Sequence, residues 1–383
     1  MRKFQSARRL FPVTVKEKGI TYLNSASTGP LCRPVRRALD DYYDLCEVLI
    51  KDDDKYAFDD LENIRRFGGH LVGAEADEVG FGFNTGYGLN IAAFGLPLKK
   101  GDEVLLPDVE FPSNVYPWLA LKERGIKIKF IKSTAGFFDI ENFRKSITGR
   151  SRILSLSFVQ FFNGYKNDLK TIGEICREYG LYFVVDGIQG CGVEPLEVKK
   201  WKVDIFSSGA QKWLLAPLGT GIFYIRKELQ KKLRRPLAGW LGVDWKLNFS
   251  DLFKYNLPFF DSARGYELGT YPYSHVHALS ASLKLIDSLG VENIQAHNHE
   301  LLDILISYLK ANKHFQITSS LEKKHRSSIL SFTCRDSKEL HQRLFREKII
   351  CAYREGAIRI AVHFFNNKAD IKRLITVLDR FSS

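Results

Sequence analysis

Two side chains within residues 181–222 have the types and spacing to do chemistry together. The run "LYFVVDGIQG" is apolar and continuous over 181–185, ends in Asp186 and places Gln189 three residues further on. A second apolar run, 203–206, ends in small residues and then Lys212. A lysine desolvated beside other cations is a nucleophile for an aldehyde carbon and forms a Schiff base with it. A carboxylate nearby keeps the ring nitrogen of pyridoxal 5'-phosphate protonated, so that the ring can act as an electron sink. Asp186 alone is most simply a helix cap, and Lys212 alone is one of 57 basic residues. As a spaced pair with these flanks, they point to a pyridoxal phosphate site with Lys212 as the Schiff-base lysine and Asp186 as the ring partner.

The flanking residues carry a family resemblance. "VDGIQ" followed by "GAQK" and by Gly219 and Gly221 resembles the class V aminotransferase family of fold type I pyridoxal-phosphate enzymes, where V-D-[AG]-x-Q precedes G-H-K and a Gly-rich segment. Cysteine desulfurases, selenocysteine lyases, kynureninase and isopenicillin N epimerase belong to that family. The resemblance implies an α/β chain with a large, mostly parallel seven-stranded sheet and a smaller α+β C-terminal domain, working as a homodimer on an α-amino acid.

It also implies roles for particular residues. The turn "FNTGYG" leads from a strand at 79–83 into a helix, and unpaired N–H groups at a helix start cradle phosphate. Thr85 and Gly86 are therefore placed on the cofactor phosphate, and Gln189 of the matched motif counts among the cofactor-binding residues. Phe111 matches the stacking position, where it can stack but not carry a proton as the desulfurase histidine does. Gln211 stands where the family has histidine, with an amide that can still donate to phosphate, and Gly209 replaces a hydroxyl residue. Gln160 or Asn163 supplies a polar contact beside the ring. In "RGYELGT", Thr270 reaches the partner's cofactor phosphate across the dimer. Arg359 in "AIRIAVHFFNN" holds the substrate α-carboxylate with its planar fork, and Asn24 and Ala26 in "YLNSAS" border the substrate pocket.

The elements that must position these residues follow from periodicity. Apolar runs at 103–106, 127–131 and 153–159 predict further strands, and 169–179 predicts a helix, so strand and helix alternate as in a doubly wound sheet. Ligands in such sheets bind at the carboxyl ends of the strands, where Asp186 and Lys212 fall. Residues 1–19 are basic and irregular. From 275 the pattern changes to long amphipathic helices (278–289, 291–311) and short strands such as 328–333. The expected organisation is a large domain over 20–274, with 1–19 and 275–383 forming the small domain.

Composition sets further bounds. The 383 residues are 45% hydrophobic, enough for a large core. The +13 net charge is spread along the chain without a nucleic-acid motif, so it describes a solvated surface and neither nucleic acid nor membrane is expected as a partner. Neither a secretory h-region nor a membrane-length apolar run occurs, and the expected location is cytoplasmic. Six cysteines lack metal-ligand spacing, and no metal site is expected. A dinucleotide turn fits poorly at either place that offers one: after Gly86 and Gly88 the third glycine would fall at Ile91, and at Gly187, Gly190 and Gly192 the carboxylate of Asp186 would repel a pyrophosphate. Two alternatives remain: a cysteine desulfurase or selenocysteine lyase variant, opposed by Phe111 and by the absence of a cysteine between Tyr353 and Ile358, and a non-catalytic dimer of the same fold, opposed by the retained Lys212, Asp186, Gln189 and Arg359.

Overall fold

The computed structural model describes residues 2–15, 19–48, 53–246, 248 and 250–382. After a two-residue strand, β1 (Thr21–Tyr22), seven strands build the main sheet: β2 (Val79–Gly82), β3 (Glu103–Pro107), β4 (Lys127–Ile131), β5 (Ser151–Ser157), β6 (Tyr182–Asp186), β7 (Ile205–Gly209) and β8 (Gly221–Ile225). Their order is β2-β8-β7-β6-β5-β3-β4. Only β8 runs against its neighbours; every other pairing is parallel. The carboxyl ends of β3, β5, β6 and β7 thus share one edge.

Apolar side chains alternate between the two faces of this sheet. Leu105, Leu154, Phe183, Val185 and Phe206 join one core, and Val104, Leu106, Ile153, Val184 and Ile205 join the other. A strand buried on both faces needs no polar alternation, which is why these segments are continuous apolar runs. β7 extends through Ser207, Ser208 and Gly209, residues that look like a loop in sequence. Its start is set by Asp204, whose carboxylate accepts from Phe183 N (2.8 Å) and pairs with Arg226 (2.7 Å). Beyond Phe111 the chain forms short turns at Pro112–Asn114, Tyr116–Leu119 and Ala120–Arg124 instead of one continuous helix, with prolines at 112 and 117.

The C-terminal sheet has the order β12-β13-β10-β9, all antiparallel, from β9 (Gln316–Ile317), β10 (Ile329–Thr333), β12 (Ala352–Arg354) and β13 (Ala357–Ala361). Between them β11 (Ile349–Ile350) pairs with β1. Leu330, Phe332, Ile358 and Ile360 pack beneath the helices Val291–Ala311, Ser337–Arg346 and Lys368–Ser382. The opposite face of β13, bearing Arg359, turns toward the large sheet. Residue 275 lies inside the helix Tyr273–Leu289, which packs on Arg33–Val48 and Asp53–Val72 and shares their core; the apolar core changes over along Val291–Ala311. Residues Arg2–Arg8 are helical rather than irregular, and dock on the C-terminal part through Arg8–Asp370 (2.7 Å) and Phe4–His297 (4.6 Å). Among the described residues no helix is long and apolar enough to cross a membrane.

Candidate active site

Asp186 ends β6, level with Ser157 of β5 and Ser207 of β7. Its Oδ1 accepts from Ile188 N (2.9 Å), and its Oδ2 is buried with no partner. Burial raises its pKa to about 7, with Glu110 adding to the rise and Lys212 opposing it. A buried carboxylate oxygen without a donor is costly unless a ligand supplies one.

Lys212 lies three residues past the end of β7 and is partly buried. Burial lowers its pKa to about 8, against the pull of Asp186 and with help from Arg359 and Arg354. Its Nζ sits 5.6 Å from the centre of the Phe111 ring, which is 38% exposed and edge-on to Phe161 at 5.2 Å. The backbone beneath it is fixed by Gly29, whose N–H donates to Gln211 O (2.8 Å); a Cβ on Gly29 would meet Lys212 O at 2.1 Å, so only glycine lets the two segments approach.

Thr85 opens the helix Thr85–Gly95 beside β7. The Asn84 side chain caps this helix at Tyr87 N, while Thr85 Oγ1 accepts from Gly209 N (2.9 Å) and Ser207 Oγ donates to Thr85 O (2.8 Å). The departures at Gly209 and Gln211 prove to be one feature. A Cβ at 209 would lie 2.5 Å from Gln211 Oε1, so the longer glutamine occupies the space a hydroxyl side chain would take. Gln189 is committed on both sides of its amide, donating to Ala26 O (3.0 Å) and accepting from Trp213 Nε1 (2.9 Å). It ties the segment of Ala26 to the residue after Lys212.

Arg359 is 2% exposed. It donates to Phe161 O (2.6 Å) and Ser27 Oγ (2.8 Å), and its Nε is buried without a partner. Burial pulls its pKa down to about 10, with Arg354 adding to the effect. Asn24 bridges to Ala361 beside it, and Asn24 Oδ1 is a further buried acceptor without a donor. Asn163 is directed away, holding Gly136 O (2.9 Å) and Tyr165 N (3.0 Å), whereas Gln160 faces Glu110 and keeps a bare buried Oε1. Thr270 stands apart on the exposed surface with φ of 46°, a strained value for a β-branched residue.

Three participants have no signal of their own in the sequence. Glu110, half-buried, accepts from Asn114 Nδ2 (3.0 Å), Ser157 N (2.8 Å), Ser157 Oγ (2.6 Å) and Gln160 Nε2 (2.8 Å). Burial pushes its carboxyl upward while these donors pull it back toward the ionised form. Its place just past β3, at the carboxyl edge, was the one available clue. Ser27 enters through its bond to Arg359, and His363 holds Trp213 O (2.9 Å) while its Nδ1 accepts from Phe364 N (2.9 Å); burial brings His363 down to about 3, so its ring stays neutral. Cys351 is buried, its thiol pushed up to about 12, and β12 and β13 are joined by a tight turn, Glu355-Gly356, without a cysteine.

The arrangement fits a planar pyridine aldehyde with an anionic tail. Asp186 Oδ2 offers a partner to a ring nitrogen, Lys212 an amine to an aldehyde, Phe111 a ring face, and the start of Thr85–Gly95 unpaired N–H groups to a phosphate. No group of three His, Cys, Asp or Glu suited to a metal occurs among the described residues.

Comparison with known proteins follows the same lines. The model of the family described as "Aminotransferase class-V" matches residues 21–374. An uncharacterized aminotransferase of Bacillus subtilis, YcbU, is 30% identical over 96% of this chain and 95% of its own. A probable cysteine desulfurase of Methanothermobacter thermautotrophicus is 26% identical over 94% of each chain. Among solved structures, the apo cysteine desulfurase of Thermococcus onnurineus superposes with a TM-score of 0.87 at 22% identity, over 98% of this chain and 97% of that one. A C-DES variant with glycine covalently linked to its PLP cofactor superposes at 0.88 and 21%, over 98% and 99%.

Proposed function

The chain belongs to the class V aminotransferase family, and from that premise we propose that it is a pyridoxal 5'-phosphate-dependent enzyme acting on an α-amino acid by transamination, epimerisation or elimination. The observation that carries this reading is the bare, buried Oδ2 of Asp186 in the same site as an amine whose pKa has fallen to about 8. A scaffold has no physical use for that combination.

The bound cofactor supplies an electron sink for the bond broken at Cα. Each residue then has a defined task. Arg359 binds the α-carboxylate through the N–H groups not used by Phe161 and Ser27, and so fixes which Cα bond faces the cofactor. Lys212, with a lowered pKa, takes the proton from Cα through its neutral amine and returns one from its ammonium form. Asp186, through its bare Oδ2, would hold the ring nitrogen and keep it protonated. Phe111 would offer its ring as a stacking surface for the cofactor and has no group that could carry a proton. Thr85, Gly86 and Gln211 sit at the phosphate end, and Gln189 locks the pocket floor.

The desulfurase reading has support in the names of relatives at 26–28% identity. It needs a mobile thiol as sulfur acceptor, and Cys351 is buried with its thiol held at about 12, away from reactivity. Elimination from a sulfur amino acid needs no such thiol and stays within the proposal. We also take the enzyme to be a cytoplasmic homodimer with Thr270 serving the partner's phosphate; the exposure and backbone strain of Thr270 support that role, and six free cysteines suit a reducing compartment.

Borohydride reduction of the loaded protein followed by peptide mass mapping tests the reading. Reduction should fix one cofactor on Lys212, and Lys212→Ala should abolish the label. Protein that stays colourless and takes up no pyridoxal phosphate at neutral pH overturns the proposal. Assaying pyridoxamine phosphate, pyruvate, sulfide and inverted enantiomer across an amino-acid panel then assigns the outcome.

A further inference from the structure

The hairpin β12–β13 carries two arginines on one face. Ala352 pairs with Arg359, and Arg354 pairs with Ala357. Residues two apart on a strand share a face, so Arg354 and Arg359 are diagonal neighbours with Cα atoms about 7–8 Å apart. Glu355 and Gly356 close the hairpin, both at positive φ (46° and 78°), the conformation of a tight two-residue turn that fixes strand register. The other face of β13, with Ile358 and Ile360, is buried under helices. The arginine face therefore has one direction available, toward Phe161, Ser27 and the lysine.

Arg359 lies at the bottom of this face and Arg354, exposed, at its mouth. Among the described residues neither meets a carboxylate. Arg359 bonds to a backbone carbonyl and a hydroxyl, and Arg354 bonds only to the carbonyl of its neighbour Tyr353 (2.9 Å). The charge of Arg354 reaches both Arg359 and Lys212, lowering the proton affinity of each. Asp186 answers the charge of Lys212, but the two arginines converge beside it from one side with no carboxylate partner of their own, and one α-carboxylate answers only the innermost arginine. Such a surplus raises the energy of the empty site and is relieved by a ligand bearing a second negative charge.

We infer that Arg354 is a second anion-binding residue of the substrate site, and that the preferred substrate is an α-amino acid with an anionic side chain, in its simplest form a dicarboxylic one. This rests on the reading of the site as one for an amino acid bound by Arg359. With the α-carboxylate on Arg359 and the amine toward Lys212, the side chain extends along the hairpin face to the Arg354 guanidinium. A neutral side chain would leave Arg354 without a partner.

The test compares L-glutamate and L-aspartate with L-norvaline and L-alanine on the loaded enzyme and on Arg354→Gln and Arg354→Lys. In the parent the acidic pair should have the higher kcat/KM. Arg354→Gln should reduce the acidic-to-neutral ratio about 30-fold or more, chiefly through KM, the size expected for a lost charge-assisted pair, and lysine should restore part of it. Calorimetry gives a readout independent of turnover: glutarate should bind the loaded enzyme at least about tenfold more tightly than valerate, and that gap should close in Arg354→Gln. Equal loss for acidic and neutral amino acids would assign Arg354 to the shared α-carboxylate and overturn the inference. So would an unchanged ratio, or glutarate and valerate binding alike in the parent. A protein that takes up cofactor but shows no acidic preference loses this inference alone, whereas one that takes up no cofactor loses the amino-acid reading as well.

Discussion

The two walls of the site hold their charges in opposite ways. The acidic wall grows from the large sheet, where Glu110 follows β3 and receives four donors from Asn114, Ser157 and Gln160. The basic wall comprises the arginines of the C-terminal hairpin, whose partners are uncharged oxygens, and Lys212, which lies over an aromatic ring and feels the charge of Asp186 across the site. A charge answered from within the fold is part of the scaffold; one left unanswered in a buried site is prepared for a ligand. Asp186 is the instructive exception on the acidic side, with one oxygen answered by Ile188 N and one bare. The difference separates the residues that hold the site together from those that meet cofactor and substrate.

Substitutions on each wall should reveal that division. The largest effect belongs to the bare oxygen. Asp186→Asn keeps the shape and the contact to Ile188 N but cannot hold the charge opposite a ring nitrogen; turnover should fall roughly 100- to 10,000-fold while the melting temperature stays close to that of the parent. A variant that unfolds early instead would move Asp186 to the scaffold. Next, Arg359→Gln removes the fork for the α-carboxylate and should raise KM about 10- to 100-fold for every amino acid, acidic or neutral. An effect confined to acidic substrates would exchange the roles assigned to the two arginines.

A third effect is about tenfold per pH unit. Lys212 must be neutral to attack the aldehyde, and its pKa is lowered to about 8. Below that value the neutral fraction rises tenfold for each unit of pH, so the rate of cofactor capture by cofactor-free protein should climb from pH 6 and level off above about 8. Stopped-flow absorbance reads this directly. A climb that continues toward the ordinary lysine range would mean that neither burial nor the arginines act on the amine.

Where the sequence was legible, a local rule placed the residue. Asp186 and Lys212 follow apolar runs because strands buried on both faces show no alternation and end at the ligand edge. Arg359 stands between Ile358 and Ile360, so alternation puts it on the face opposite the helix-covered core. What stayed hidden depends on contacts distant in sequence. The crossing of β8 between β2 and β7 is decided by tertiary packing. Glu110 meets Ser157 and Gln160, nearly fifty residues away, and no spacing encodes that meeting. Gln211 filling the space above Gly209 is likewise a side-chain event, visible in sequence only as two separate departures. The pairing of Arg354 with Arg359 on one face depends on a hairpin register that residue types alone do not set.

The smallest expected effect bears most sharply on the contrast between the walls. In Glu110→Gln one carboxylate oxygen becomes an NH2 group, yet all four groups that face it are donors. At least one buried donor then loses its acceptor, a cost of about 1–3 kcal/mol, so the melting temperature should drop by a few degrees. Turnover should fall far less than in Asp186→Asn, because Glu110 touches neither the cofactor nor the substrate in this reading. The negative charge of Glu110 also helps to hold the Asp186 pKa up. Its removal should therefore move the acid-side transition of the cofactor's absorbance to lower pH. A full loss of turnover with unchanged melting would place Glu110 among the reacting groups and erase the distinction between an answered carboxylate and a bare one.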